Sequence, residues 1–496
     1  MKEPGGADHG RADEGAATPG GKLASAPRSG AAAPHPLGRR MLVWLRLGWA
    51  QVTLPGRFRR AMPAAGQSLL AALTASGHEA AVVGGAVRDL LLGQAPKDWD
   101  LVTSATPEEV LNLFPDGRLI GAARETGTVL VARDGVVYET TPYRGADLAA
   151  DLGHRDFTIN AMALTAGGRL IDPLGGRRDL AAGLLRACGR PEDRLIEDPL
   201  RTLRAVRLAA QFDLEIEPGL AGAIAEAAPL LAGVAPERIG AELARLLVTD
   251  RPAWGMQRLR DLGLLAQFAP ELLEMVGVEQ NQYHAFPVWE HALMALALVP
   301  PVLHLRLAAL LHDVAKPRCL SVDEFGDRHF YRHELVGAEM ADELLRRLRF
   351  DNETRSRAVH LVRYHMDLHL DGQPTDAALR RMVRRIGLEH MDDLVQLRRA
   401  DRLASGKREG DLGPETMALL DGIRRVLAAD AALKVTDLAV DGHDVMAAFG
   451  RGPGPYVGEV LEALLEEVLE RPERNRRDVL LQRLSELAAG GWKGPM

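Results

Sequence analysis

Cysteine is almost missing from this chain: Cys188 and Cys319 are the two in 496 residues. They stand in unrelated contexts, so neither a disulfide framework nor a cysteine-ligated metal is expected, which fits a reducing cytoplasm. Aromatic residues are sparse, at 4%. An excess of positive charge is lacking too. The net charge is −7, so a nucleic-acid partner would have to meet a local basic surface rather than a basic molecule. No apolar run is long enough to span a bilayer. Residues 41–54, MLVWLRLGWAQVTL, come nearest and are interrupted by Arg46. The polar lead-in before them argues against a secretory signal. Residues 1–40 are rich in Gly, Ala, Pro and charge and are expected to be disordered. Residues 1–61 therefore read as a dispensable extension, or as sequence upstream of a true start at Met62; an interfacial membrane helix is the alternative. What remains is ordinary for a soluble globular protein, 47% hydrophobic and 26% charged, with length for roughly three or four domains.

The chain is organised around residues 82–102, VVGGAVRDLLLGQAPKDWDLV. A short apolar strand runs into Gly84 and Gly85, then a helical turn with Arg88, then a second strand with Asp98 and Asp100. Alternation puts those two carboxylates on one face. Side by side they repel unless a cation lies between them, as a divalent metal carrying a triphosphate would. Glycines without Cβ let backbone amides approach phosphate oxygens, and Arg88 is placed to add charge.

A lone DxD is weak evidence. The combination GG-x-x-R-D…D-x-D in a strand–turn–helix–strand setting resembles the signature of the polymerase-β-type nucleotidyltransferases. The branch is the class II tRNA nucleotidyltransferase and poly(A) polymerase family. This implies an α/β head with a mixed sheet, two Mg²⁺ held by Asp98 and Asp100, and a third carboxylate on a neighbouring strand. Residues 126–144 read as two strands joined by an Asp134–Gly135 turn, and Glu139 is the acidic residue placed for that role. An exposed strand glutamate is the plain alternative. Thr106, Pro107 and Glu109 read as a capped helix start.

Further motifs extend the resemblance. HRDFTINAMAL (154–164) is similar to the family's RRDFTxNA, with His154 in place of the first arginine. It implies that Arg155 and Asp156 contact the ribose and phosphates of the incoming nucleotide, with Asn160 supporting the loop. Gly175 and Gly176, in LIDPLGGRRDL, read as a turn between head and neck. EDPLRTLRAVRLAAQF (197–212) resembles the nucleotide-selecting helix. Asp198 and Arg201, three apart, are expected on one helical face. The carboxylate would accept from the exocyclic amine of C or A, and the guanidinium would donate to the ring. Arg204 and Arg207 extend this basic stripe, and PERIGAELARLL (236–247) reads as a structural helix.

Beyond residue 276 a different pattern begins. His291, His312, Asp313 and Asp401 follow an H…HD…D order that resembles the HD-type metal phosphohydrolases. Imidazole with carboxylate suits a transition metal more than Mg²⁺, though Mg²⁺ stays open. His333, His360 and His365 are candidates for a second metal there. A helical scaffold without catalysis is the alternative.

The expected plan is an extension (1–61), an α/β nucleotidyltransferase head (62–185), an all-α neck and body (186–276), an all-α HD domain (277–405) and a helical tail (406–496). The tail's Arg471, Arg474, Arg476 and Arg477 face either tRNA or solvent. The expected partners are the tRNA acceptor end and CTP, with ATP open and no membrane. Arg144 is followed by only GADLAADLGH before Arg155, where the family's C-to-A switching loop is usually longer. The expectation is therefore template-independent addition of CC, with full CCA addition, poly(A) synthesis or A-addition, or an HD phosphohydrolase with a non-catalytic RNA-binding head as alternatives. Oligomeric state leaves no signal in the sequence.

Overall fold

The computed structural model describes residues 54–120, 127–369, 374–407, 410–428 and 432–492. Of the N-terminal expectations, those on residues 1–53 lie outside the described residues.

The head is a seven-stranded mixed sheet in the order β3-β4-β5-β2-β1-β6-β7. Its strands are β1 (Ala80–Val83), β2 (Trp99–Thr103), β3 (Arg118–Leu119), β4 (Val129–Arg133), β5 (Val136–Pro142), β6 (Ala163–Thr165) and β7 (Leu170–Ile171). β4 and β5 form the expected hairpin, with φ of 51° at Asp134 and 76° at Gly135. A turn with two positive φ angles matches the strand twist. β2 pairs with β1 antiparallel and with β5 parallel, which sets Asp100 opposite Glu139.

Alternation divides the sheet's two faces. Val82, Leu101, Val129 and Tyr138 point into the large core, under helices Ala64–Ala75 and Pro107–Leu113. Ala81, Val83 and Val102 point the other way, into a small cluster with Leu152 and Cys188. Asp100 shares that second face, since its neighbours Trp99 and Leu101 belong to the large core. The Thr106–Glu109 capping box forms as expected.

The start of the head needs correcting. Residues 54–61 are helical, and Leu54, Phe58 and Met62 are 2%, 1% and 2% exposed in the head core. A boundary at Met62 would cut through that core.

The neck is a set of short helices, and prolines mark their starts. Pro191–Glu197, Pro218–Ala227, Pro236–Leu247 and Pro252–Asp261 each open on proline, which has no N–H to leave unsatisfied there. Further on, helices Val288–Leu298, Leu303–Leu311, His333–Arg347, Asn352–Tyr364 and Met391–Ala404 pack together. A hairpin of Leu320–Val322 with Arg328–Phe330 stands beside them. The last helices, Gly442–Phe449, Pro455–Glu470 and Arg477–Ala489, enclose a separate core around Val460, Leu464 and Leu484. The plan's boundary at 405 does not divide the packing, because helix Asp376–Ile386 lies against both Gly413–Ala428 and Pro455–Glu470. No helix among the described residues is long and apolar enough to cross a membrane.

Candidate functional site

In the head, β1 ends at Gly84, with φ 74° and ψ −137°, a conformation that only glycine adopts without strain. A Cβ there would lie 3.3 Å from Arg155 Nη1 and 3.5 Å from Asp100 Oδ2. The turn therefore brings the GG motif, the strand carboxylate and the third motif to one point. Asp98 lies one residue before β2 rather than within it, and is exposed. Burial pushes the Asp100 carboxyl up to about 6; Glu139 adds to the shift, Arg155 opposes it, and Asp98 adds the least. Three carboxylates converge here, and the half-buried one is costly to ionise alone. Such an oxygen-only donor set fits a hard divalent cation such as Mg²⁺.

The third motif is held by residues that the sequence did not single out. Asp151 is fully buried and accepts from Arg155 Nη2 at 3.3 Å and from the Arg144 backbone N–H at 3.1 Å. Asp156 accepts from its neighbour Phe157 N–H and from Asn160 Nδ2. Asn160 in turn accepts from Arg88 Nη1 at 2.6 Å. Arg88 departs from its expected place. It is 8% exposed, bonded to Asp89 as well, and lies over the Phe212 ring at 4.2 Å. Its guanidinium is thus committed to bracing the Asp156–Asn160 loop from behind.

The selecting pair also needs a correction. Asp198 and Arg201 do not share one helix. Helix Pro191–Glu197 ends at Asp198, which is extended (φ −146°, ψ 96°), and a second helix spans Arg201–Phe212. The reason is Pro199, whose ring disfavours helical backbone in the residue before it. Arg238 Nη2 donates to both Asp198 oxygens at 3.1 Å. Arg201 Nη1 donates to Glu197 Oε2 and to the Arg194 carbonyl. Arg204 reaches Asp156 at 3.4 Å, linking neck to head, while Arg207 donates to buried Glu242 at 2.6 Å. The helix read as merely structural thus supplies Arg238 and Glu242.

A second cluster lies in the helical region. His291 Nε2 sits 3.2 Å from His312 Nε2, 3.4 Å from Asp313 Oδ2 and 3.2 Å from Asp401 Oδ1. On its other oxygen, Asp313 meets His333 at 3.3 Å and His365 at 3.9 Å. These six side chains are nearly all buried, with Asp401 the most exposed at 7%. His312, His333 and His365 each direct Nδ1 at the carbonyl three residues back, leaving Nε2 aimed inward. That orientation by backbone carbonyls is typical of metal-ligating imidazoles. Burial holds His365 well below the ordinary histidine value, helped by His333 and His312. For Asp313 burial acts upward, but His312 and Lys316 outweigh it and keep the carboxyl well below its usual range. Inward-facing imidazoles beside carboxylates fit a transition metal, and Asp313 turns Oδ2 toward His291 and His312 and Oδ1 toward His333 and His365.

His360 is the exception. It donates to or accepts nothing in the cluster; its Nε2 meets the Ile386 carbonyl and its ring packs on His390. It stands five positions before His365, a step that on a helix turns the two side chains apart. Residues that the sequence reading missed take part instead. His284 joins His291 and Asp401, His369 lies 3.1 Å from Asp401, and Lys316 Nζ lies 2.7 Å from Asp313. Lys316 was findable, since it follows Asp313 by one helical turn.

Comparison with known proteins accords with this geometry. Residues 80–186 match the poly(A) polymerase head domain family, residues 213–275 the probable RNA and SrmB-binding site of polymerase A, and residues 333–484 the putative tRNA nucleotidyltransferase domain 2. The chain is 40% identical to the A-adding tRNA nucleotidyltransferase of Deinococcus radiodurans, over 78% of this chain and 91% of that protein. It is 38% identical to the CC-adding tRNA nucleotidyltransferase of Thermus thermophilus, over 78% and 89% respectively. The crystal structure of the Bacillus stearothermophilus CCA-adding enzyme in complex with CTP superposes with a TM-score of 0.66. It covers 88% of this chain and 98% of that one, at 28% identity.

Proposed function

The chain belongs to the class II tRNA nucleotidyltransferase family, and from the geometry of its head we propose that it adds nucleotides to the 3′ end of tRNA without a template. The observation that carries this reading is the in-register pair Asp100–Glu139 beside Gly84 and Arg155. Asp98, Asp100 and Glu139 are the groups that would hold Mg²⁺. When bound, Mg²⁺ supplies the positive charge that acidifies a 3′-hydroxyl and offsets the charge of a leaving pyrophosphate. The chain's own groups do the positioning. Gly84 and Gly85 let phosphate oxygens approach the backbone. Arg155, aimed by Asp151, faces the triphosphate. Asp156, fixed by Asn160, is set for the ribose. Asp198 and Arg201 read the base edge, for which Arg238 and Glu197 have to give way.

The named relatives include A-, CC- and CCA-adding enzymes, which supports the use of CTP together with ATP and hence full CCA addition. A specific observation favours the narrower CC reading. Residues 145–154 hold only a short turn and helix Leu148–Gly153, pinned by buried Asp151, with no room for a long switching loop. Incubation with tRNA ending at the discriminator base, with CTP, ATP or both, separates these. Two added nucleotides with CTP and none with ATP mean CC addition, three mean CCA, and a long A ladder means poly(A) synthesis. Asp98→Ala should lower addition at least about a hundredfold while leaving the fold intact. Unchanged addition would remove Asp98 from the site.

We infer further that the His/Asp cluster is an HD-type metal site for hydrolysis of phosphate esters. The observation favouring this is Asp313, whose two oxygens face two separate groups of imidazoles. Release of phosphate from small esters with Mn²⁺, Ni²⁺, Co²⁺ or Mg²⁺ tests it. An inert protein with every metal would leave the cluster as scaffold.

A further inference from the structure

A cavity of about 670 Å³ opens over the His/Asp cluster, and it is lined by more than metal ligands. That volume suits a small organic molecule and exceeds what a bare phosphate needs. On its outer side stands the hairpin Leu320–Val322 and Arg328–Phe330, which none of the chemistry described above uses. The hairpin carries a flat aromatic surface. His329 and Tyr331 are stacked, with ring centroids 5.3 Å apart and planes 6° from parallel.

That surface is held in place from behind. His329 Nε2 bonds Asp323 Oδ2 at 2.8 Å, and the other Asp323 oxygen accepts from the backbone N–H groups of Phe325 and Asp327. One carboxylate thus fixes both the turn and the imidazole plane. Tyr331 is 71% exposed although both it and His329 line the cavity. The next residue, Arg332, has φ 63°, a left-handed conformation uncommon for a side chain of its kind. This bend leaves the Tyr331 ring in the cavity mouth while His333, two residues on, enters the cluster. Cationic groups share the cavity, with Lys316, Arg328 and Arg402 in its lining. An aromatic platform beside cations above a metal-fitting centre is complementary to a molecule that joins a flat ring to a phosphate.

We propose that the hairpin with Tyr331 is a nucleobase-stacking platform, and that the cavity takes the phosphate ester of a nucleotide, either free or as the terminal residue of an RNA. This rests on the hydrolytic reading of the cluster. In the reaction, a water oxygen bonds to phosphorus, the ester P–O bond breaks, and a proton from the water passes to the departing alkoxide oxygen, which leaves as the alcohol. Stacking tolerates any base, so selectivity is for nucleotides over aliphatic esters rather than among bases.

The test compares AMP, CMP and an RNA oligonucleotide with a 3′-terminal phosphate against glycerol 2-phosphate, using full-length protein loaded with each of the four metals. Tyr331→Ala should raise KM for the nucleotide esters at least about tenfold and leave that for glycerol 2-phosphate within about twofold. Tyr331→Phe, which keeps the ring, should restore the nucleotide KM. An equal effect on both esters, or none on either, overturns the platform. A larger effect on the mononucleotides than on the oligonucleotide identifies free nucleotide as the ligand, and the reverse identifies an RNA end. Equilibrium binding of AMP to metal-free protein, with and without Tyr331→Ala, gives a readout independent of turnover. If no ester is hydrolysed, the hydrolytic reading fails, and AMP binding that is absent or unchanged by Tyr331→Ala then overturns the platform as well. AMP binding weakened by Tyr331→Ala in the absence of hydrolysis supports the platform alone.

Discussion

Asp100 titrates near 6 because burial and then Glu139 oppose its charge. The folded value lies above the ordinary one, so protonated Asp100 favours the folded state. That contribution is full below about pH 4 and is lost as pH rises through about 6. At neutral pH the ionised group therefore weakens the head, and a divalent cation would relieve it. Mg²⁺ should accordingly raise the melting temperature more at about pH 7.5 than at about pH 5, measured by thermal unfolding with and without the ion. An equal shift at both values would mean the ion binds elsewhere. This pairing was partly legible. Alternation and the Asp134–Gly135 turn singled out Glu139, but the parallel register that sets it opposite Asp100 depends on a long crossover and leaves no local mark. Asp198 shows the reverse case: its spacing to Arg201 suggested one helix, while the intervening Pro199 already carried the signal that the helix breaks. His360 was misassigned because motif order was weighed above helical direction.

Two elements support the head site from outside its carboxylates. Residues 54–61 add Leu54 and Phe58 to the core, each nearly fully buried. A chain beginning at Met62 should lose about 3 kcal/mol of stability or more relative to one beginning at Leu54, since each such side chain contributes about 1.5–3 kcal/mol. Comparison of denaturant midpoints checks it, and equal midpoints would show that the helix only rests on the surface. The sequence hid this helix because it follows a stretch with no amphipathic rhythm. The second element is Leu148–Gly153. Its Asp151 holds both Arg155 and the start of the segment. Asp151→Asn keeps the shape but removes the charge, and should raise KM for CTP several-fold, about the worth of one charge-assisted hydrogen bond, with a smaller change in kcat. A fall in kcat alone would place Asp151 in the chemical step instead. The short segment itself was legible from sequence length, whereas the buried anchor was not, because nothing local distinguishes Asp151 from exposed Asp147.

Beside the small cluster on the far face of the head sheet, one large apolar core runs from Leu54 to Val426, while the final helices close a core of their own. The two candidate sites therefore share a scaffold but differ in donor chemistry. Carboxylate oxygens alone converge in the head, and imidazoles dominate the cluster around Asp313. The tail's arginines add little to either, since Arg474, Arg476 and Arg477 are each paired with a nearby carboxylate of the tail itself. Ligand hardness then separates the sites. After chelation, Mg²⁺ should restore nucleotide addition, whereas Mn²⁺, Co²⁺ or Ni²⁺ should restore ester hydrolysis more fully than Mg²⁺ does. Asp98→Ala should remove addition and leave hydrolysis unchanged in the same preparation. If that single substitution removes both activities, the two sites are not independent, and the separation drawn from their donor sets is wrong. If one metal restores both to the same extent, the cluster around Asp313 binds metal through its carboxylates, and its imidazoles have a structural part.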